Sequence, residues 1–193
     1  MRVITGKAKG HRLKAPAGLS TRPMLDRVKE SLFSVLEGYG PLRGEVLDMF
    51  AGTGSLGIEA LSRGAGRADF VERNAHVCSI IRENLVHTHF ADVGTVHSMP
   101  VERFVRSRGG SKRYAILFMD PPYADPEIVA TIELVGTAGI AKDGALVIVG
   151  HSPRVELADS YSGLTRIKFR KLGDSCFSIY QVTDAAQPAG DEE

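Results

Sequence analysis

A short apolar run, Glu45-Val46-Leu47-Asp48-Met49-Phe50, breaks off at Ala51-Gly52-Thr53-Gly54-Ser55-Leu56-Gly57 and gives way to a helical stretch ending near Arg63, with Gly64 as its stop. No other feature constrains the fold so tightly. An unbroken apolar run closing on glycines reads as a parallel strand buried on both faces. Glycines in G-x-G-x-x-G spacing let the backbone turn sharply and come close to a ligand at a helix N-terminus. A strand, a glycine turn and a helix together make the first half of a βαβ unit.

The remainder repeats the unit. Ala68–Glu72 reads as a second strand, followed by a helix from about Ala75 to Val86 with Val77, Ile80, Ile81, Asn84 and Leu85 on one face. Gly94–His97 is a weaker third strand, with a helix near Val101–Arg106. Tyr114-Ala115-Ile116-Leu117-Phe118-Met119 is the strongest strand signal, and Pro121 and Pro122 forbid its continuation. A helix over about Glu127–Val135 leads to a buried strand, Ala145–Val149. Thr165–Arg170 and Cys176–Tyr180 alternate polar and apolar residues around Leu172-Gly173-Asp174, the pattern of an antiparallel hairpin. Strands with helical crossovers and a terminal hairpin predict an open α/β sheet wound on both faces, mostly parallel. Before it stand two short strand candidates, Val3–Thr5 and Arg12–Lys14, and a helix from about Leu25 to Leu36 with Leu25, Val28, Leu32, Val35 and Leu36 on one face.

With 193 residues the chain suits one domain and a small appendage. The spacing predicts an N-terminal extension over 1–40, a main domain over 41–183 and a tail, 184–193, rich in Ala, Pro, Gly and acid. No apolar run is long enough to span a bilayer, and Met1–Gly6 has no secretory character, so a cytoplasmic protein without a membrane partner is expected. Cys78 and Cys176 form no CxxC pair, which argues against a disulfide framework or a zinc site. The net charge of +1 hides an asymmetry: residues 1–30 carry +6, and the rest −5. A basic extension on an acidic body fits a localised anionic partner such as RNA or DNA phosphate, or else a solvated face.

Open α/β sheets bind ligands at the carboxyl ends of their strands. Two loops fall there, after Asp48 and after Met119. Asp48 sits where a dinucleotide's pyrophosphate would lie; its carboxylate repels a diphosphate and suits the sulfonium or amino group of S-adenosylmethionine. Glu72, about twenty residues past the glycine loop, can accept from two ribose hydroxyls. Taken singly, Asp48 could be a turn cap and Glu72 a surface acid, and a nicotinamide dehydrogenase stays open on these residues.

Asp120-Pro121-Pro122-Tyr123 decides against that. Methylating an exocyclic aryl amine is hard because the nitrogen lone pair is delocalised into the base. Two acceptors for the two N–H protons make the nitrogen pyramidal and aim the lone pair. The Asp120 carboxylate and the Pro121 carbonyl supply such a pair, the prolines hold it rigid, and Tyr123 can stack on the base. No cysteine occurs in this loop to serve carbon-5 pyrimidine chemistry. The chemistry alone allows guanine N2 or adenine N6.

At this point the sequence resembles the bacterial 16S ribosomal RNA guanine-N2 methyltransferases of the RsmD type. Thr21-Arg22-Pro23, Asp26-Arg27-Val28-Lys29-Glu30-Ser31-Leu32-Phe33, the run from Leu47 to Ala65, Phe70-Val71-Glu72 and Asp120–Tyr123 carry the resemblance, which spans nearly the whole chain. It implies a Rossmann-like class I methyltransferase sheet with a small N-terminal hairpin and helix, and S-adenosylmethionine as methyl donor. It also implies, as partner, 16S ribosomal RNA in the small subunit or an assembly intermediate. The implied cofactor set is Asp48, Phe50, Ala51, Gly52, Thr53, Gly54, Glu72, Arg73, Ser98, Met99 and Asp120. Asp120, Pro121, Pro122 and Tyr123 would face the base, and Lys7, Lys9, Arg12, Arg22, Arg27 and Tyr123 the RNA. Two departures stand out: no acid lies near Ser98-Met99, and Gly150 in Val149-Gly150-His151-Ser152 stands where the family commonly has glutamate.

His87-Thr88-His89 lacks a third ligand at metal spacing and reads as surface histidines; no metal is expected, and a monomer is. So small an extension cannot read a long sequence, so recognition by shape in a ribonucleoprotein is expected. The competing readings are an N6-adenine DNA methyltransferase and a non-catalytic RNA-binding assembly factor.

Overall fold

The computed structural model describes residues 1–16, 26–110, 114–122 and 125–183. Along the chain lie α1 (Asp26–Glu37), β1 (Glu45–Met49), α2 (Ser55–Ser62), β2 (Arg67–Glu72), α3 (Ala75–His87), β3 (Gly94–Ser98), α4 (Val101–Arg108), β4 (Tyr114–Met119), α5 (Ile128–Thr137) and β5 (Ala141–His151). β6 (Ser160–Tyr161), β7 (Leu164–Leu172) and β8 (Ser175–Val182) follow.

The strands form one sheet in the order β3-β2-β1-β4-β5-β8-β7-β6. β1 to β5 are mutually parallel, and β8, β7 and β6 add on antiparallel. This is the expected Rossmann-like methyltransferase sheet. The winding reverses at β1, with β2 on one side and β4 on the other, so a cleft opens beyond their carboxyl ends.

Side chains alternate across the strands and divide the core in two. Val46, Phe70, Ile116, Phe118 and Ile148 face Leu32 and Phe33 of α1, Ile58 and Leu61 of α2 and Ile81 and Leu85 of α3. Leu47, Met49, Val71, Leu117, Met119, Val147 and Val149 face Phe104 and Val105 of α4 and Ile132 and Val135 of α5. Covering on both faces explains why the central strands are apolar throughout. Gly57 is the glycine that closes α2 onto the sheet, since a Cβ there would stand 2.3 Å from the Phe70 ring.

The element boundaries differ from the sequence pattern in three places. β5 begins at Ala141 rather than Ala145, and the two-residue β6 carries too little sequence to signal itself. The N-terminal strand candidates form a short hairpin rather than full strands: Arg2 bridges Arg12, the Val3 N–H donates to the His11 carbonyl at 3.0 Å and the Leu13 N–H to the Met1 carbonyl at 3.2 Å. The neighbouring N–H groups turn to α2 instead: Ile4 and Thr5 donate to the Glu59 carboxylate at 2.8 and 3.0 Å, and Ala8 to Ser62 Oγ at 2.9 Å. Val3, Ala8 and Leu13 lie in the same apolar cluster as α1 to α3, so the described part of the extension is packed on the domain. The tail at 184–193 lies outside the described residues. Among the described residues no helix is long and apolar enough to cross a membrane.

Candidate active site

β1 delivers the chain to the cleft through successive left-handed residues, Phe50 (φ 58°), Gly52 (φ 54°) and Gly54 (φ 77°). Phe50 is not a glycine, so its conformation is a local strain of the kind that gathers at ligand sites. The Ala51 N–H donates to the Val71 carbonyl at 3.0 Å, which pins the loop across the end of β2.

Three carboxylates converge on this edge. Asp48 is buried, and one of its oxygens accepts the Gly57 N–H at 2.8 Å. Burial raises its pKa well above the usual carboxylate range; the Gly57 N–H opposes this, and the charges of Asp120 and Glu72 add to it. Glu72 ends β2, accepting from the Gly52 N–H at 3.2 Å and the Asn74 N–H at 2.8 Å. Its carbonyl accepts the Met99 N–H at 3.1 Å, which sets Ser98 (exposed) and Met99 (half-buried) beside it at the end of β3. Arg73 is exposed next to Glu72. The Asp48, Gly52, Gly54, Glu72, Ser98 and Met99 set is therefore brought to one edge by three neighbouring strands. An edge this rich in buried acid is set up electrostatically for a cationic ligand. Among the described residues no cluster of three His, Cys, Asp or Glu could hold a metal ion.

Asp120 follows directly on β4, whose Met119 pairs with Met49 on one side and Val149 on the other. Burial pushes its carboxyl up to about 6. Among the described residues no donor reaches the Asp120 carboxylate or the Pro121 carbonyl, whereas the next carbonyl, that of Pro122, accepts the Asp125 N–H at 3.0 Å. Two acceptors thus stand open at the strand end, beside the glycine loop. Tyr123, the expected stacking residue, lies outside the described residues, as does Arg22.

Gly150 takes on a meaning its sequence position did not reveal. A Cβ there would lie 2.2 Å from Asp120 Oδ1 and 3.1 Å from its Cγ. The absent side chain is the space in which the carboxylate rests. Gly150→Ala should displace a flexible side-chain end rather than backbone, so melting temperature should change little. Turnover should fall on the order of 10- to 100-fold, since misplacing a reacting group by about 1 Å has effects of that size. Steady-state kinetics beside a thermal melt check this, and unchanged kcat would disprove it.

The basic residues separate by location. Lys7 and Lys9 are exposed on the Gly6–Gly10 turn, and the Lys7 N–H donates to the Ser62 carbonyl at the far end of α2, roughly 12 Å along the helix from the glycine loop at about 1.5 Å per residue. Arg12 returns toward the loop, and Arg27 is exposed on α1. Sequence reasoning missed Lys29, which is fully buried with Nζ 2.6 Å from the Arg2 carbonyl and 3.2 Å from Glu59. The signal was there: Lys29 falls on the helical stripe with Leu32, Phe33 and Leu36. It also missed Asn84, a buried side chain that accepts the Lys14 N–H at 2.8 Å and donates to the Lys14 and Thr53 carbonyls at 3.1 and 3.0 Å.

Residues 1–181 match the family described as Conserved hypothetical protein 95. The Ribosomal RNA small subunit methyltransferase D of Escherichia coli (strain K12) is 34% identical, over 94% of this chain and 89% of its own. YlbH of Bacillus subtilis, a candidate rRNA methyltransferase, is also 34% identical, over 94% of this chain and 98% of its own. The solved structure of a candidate methyltransferase from Escherichia coli, yhhF, superposes with a TM-score of 0.83 at 31% identity, covering 96% of this chain and 99% of that one.

Proposed function

This chain belongs to the Conserved hypothetical protein 95 family, which takes in the ribosomal RNA small subunit methyltransferases D, and from that premise we propose that it methylates the exocyclic N2 amine of a guanine in 16S ribosomal RNA, with S-adenosylmethionine as donor. The observation that carries this reading is the pair of open acceptors, the Asp120 carboxylate and the Pro121 carbonyl, at the end of β4 beside an acid-rich glycine loop.

The residues fit such a donor. A cationic sulfonium and ammonium would relieve the raised carboxyls of Asp48 and Asp120, and this supports the assignment over an anionic dinucleotide. Asp48, Gly52 and Gly54, with Phe50, Ala51 and Thr53 around them, would hold the amino-acid end. Glu72 would give up the Gly52 N–H for ribose hydroxyls, with Arg73 alongside, and Ser98 and Met99 would border the adenine. When bound, the donor supplies an electrophilic methyl group. The protein's own part is orientation: Asp120 and the Pro121 carbonyl accept the two amine protons, so the nitrogen lone pair leaves the ring plane and points into the cleft. Pro122 stiffens the turn, Tyr123 would stack on the extruded base, and the methylated nitrogen then loses a proton to water. Arg12, Arg22 and Arg27 would meet RNA phosphate, and Lys7 and Lys9 would do so farther from the reaction.

The test uses methyl-labelled donor with undermodified small subunits, with free 16S ribosomal RNA and with DNA, followed by mass analysis of the nucleosides. The expected product is N2-methylguanosine, formed faster on subunits than on free RNA. Label in N6-methyladenine, label in DNA, or no transfer to any of the three would overturn the assignment; equal rates on subunits and free RNA would overturn recognition in a ribonucleoprotein.

A further inference from the structure

Apart from Arg12, the residues lining the cationic groove between the N-terminal limb and α3 are outside those assigned above to cofactor or RNA. The groove has a volume of about 570 Å³ and is lined by Arg12, Lys14, Arg82, Glu83, Val86 and His87. Its walls are fixed in place. Asn84 holds the backbone of Lys14 from both sides, and Lys14 Nζ reaches Glu83 at 2.7 Å. Lys14 and Glu83 offset each other, which leaves Arg12 and Arg82 without an ion-pair partner among the described residues. Two free guanidiniums on opposite walls of a preformed groove, on a body carrying −5 beyond residue 30, make a local positive site rather than a diffuse one.

The lining is not only charged. His87 lines it, its ring held edge-on by His11 at 5.2 Å between centroids, and Val86 on the same α3 wall is 64% exposed. Planar rings and an exposed apolar side chain beside guanidiniums are the composition that takes ribose and bases along a phosphate track. One wall of the groove is tied to the glycine loop, since the Asn84 that holds Lys14 also donates to the Thr53 carbonyl.

We propose that this groove is a second RNA-contact surface, in which Arg82 joins Arg12 in gripping the sugar–phosphate backbone flanking the target nucleotide while His87 and Val86 cover its sugars and bases. The proposal rests on the reading of the chain as an RNA methyltransferase and adds α3 to the substrate site.

Arg82→Glu and Arg12→Glu, alone and together, are compared with Arg103→Glu, an exposed charge reversal on α4 across the sheet. Binding of a 16S ribosomal RNA fragment is measured against salt, beside donor affinity and melting temperature. Each single groove variant should lose about 10-fold in RNA affinity near 0.1 M salt and lower the salt slope by about 1, and the double about twice that in slope. In Arg82→Glu, KM for RNA should rise with kcat at saturation unchanged. Arg103→Glu should bind within about 2-fold of the parent. Equal losses in the three single variants, which would reflect net charge alone, or unchanged RNA affinity in the groove variants would overturn the proposal. So would equal binding and equal loss on duplex DNA of the same length. Because binding is read separately from methylation, a parent that grips RNA but transfers no methyl group would refute the proposed activity and not the groove.

Discussion

Asp120→Ala should lower kcat by about 10²- to 10³-fold, on the order of 3–4 kcal/mol of barrier, as expected when a preorganised partner of the reacting group is removed. The carboxylate has no competing donor among the described residues, so its accepting capacity is not spent within the protein. Removal leaves one acceptor, the Pro121 carbonyl, and the amine lone pair returns to conjugation with the base. Donor affinity should change by only a few fold, because Asp48 and Glu72 remain. A loss of donor binding equal to the loss of turnover would make Asp120 a cofactor ligand and sink the acceptor role.

Protonation state gives the same residue a second signature. Burial pushes the Asp120 carboxyl from 3.8 up to about 6, and the protonated form cannot accept on both oxygens. In the free enzyme kcat/KM should therefore rise with pH to a plateau, with its midpoint near pH 6. Asp120→Asn keeps one acceptor oxygen and should flatten that limb at reduced rate. The sign for stability is opposite. A carboxyl whose folded pKa exceeds its unfolded one favours the fold below pH 3.8, and that contribution is lost as pH rises through about 6. Asp120→Ala should accordingly melt no lower than the parent at pH 7.5, while being nearly inactive.

The sheet edge that carries the glycine loop and Asp120 was legible because its signals are local. β4 is a contiguous apolar run stopped by Pro121, and the glycine loop needs no distant partner to be recognised. What escaped depends on contacts across long separations. Whether residues 3–5 pair with residues 12–14 or with α2 is decided by Glu59 and Ser62, more than fifty positions away. Gly150 could be read only as a departure from a pattern, since its closeness to Asp120 follows from the β4–β5 register that sets Met119 against Val149. Asn84 showed as one more residue on the inner face of α3. That it ties Lys14 to Thr53 is a property of the folded loops, not of the helix.

Glu59→Ala should destabilise the fold by about 3–5 kcal/mol, the usual result of removing one member of a buried ion pair. Glu59 and Lys29 are both fully buried, and Arg63 is nearly so. The Glu59 carboxylate accepts from the Ile4 and Thr5 N–H groups, from Lys29 and from Arg63 Nε at 2.8 Å. Burial pulls the Lys29 pKa down, while Glu59 and, less strongly, Asp26 pull it up, so Glu59 is the main partner favouring the ammonium. Truncation strands one buried ammonium and two backbone donors, and frees the N-terminal limb from the helix that carries the glycine loop. At about 2–4 °C per kcal/mol for a domain of this size, the melting temperature should drop by roughly 10 °C. Lys29→Met with Glu59→Leu removes the stranded ammonium and should recover only that part of the loss, since the Ile4 and Thr5 N–H groups and Arg63 still lack their acceptor. A single Glu59→Ala variant melting within about 2 °C of the parent would mean that water enters the site and that the network does not fasten the extension.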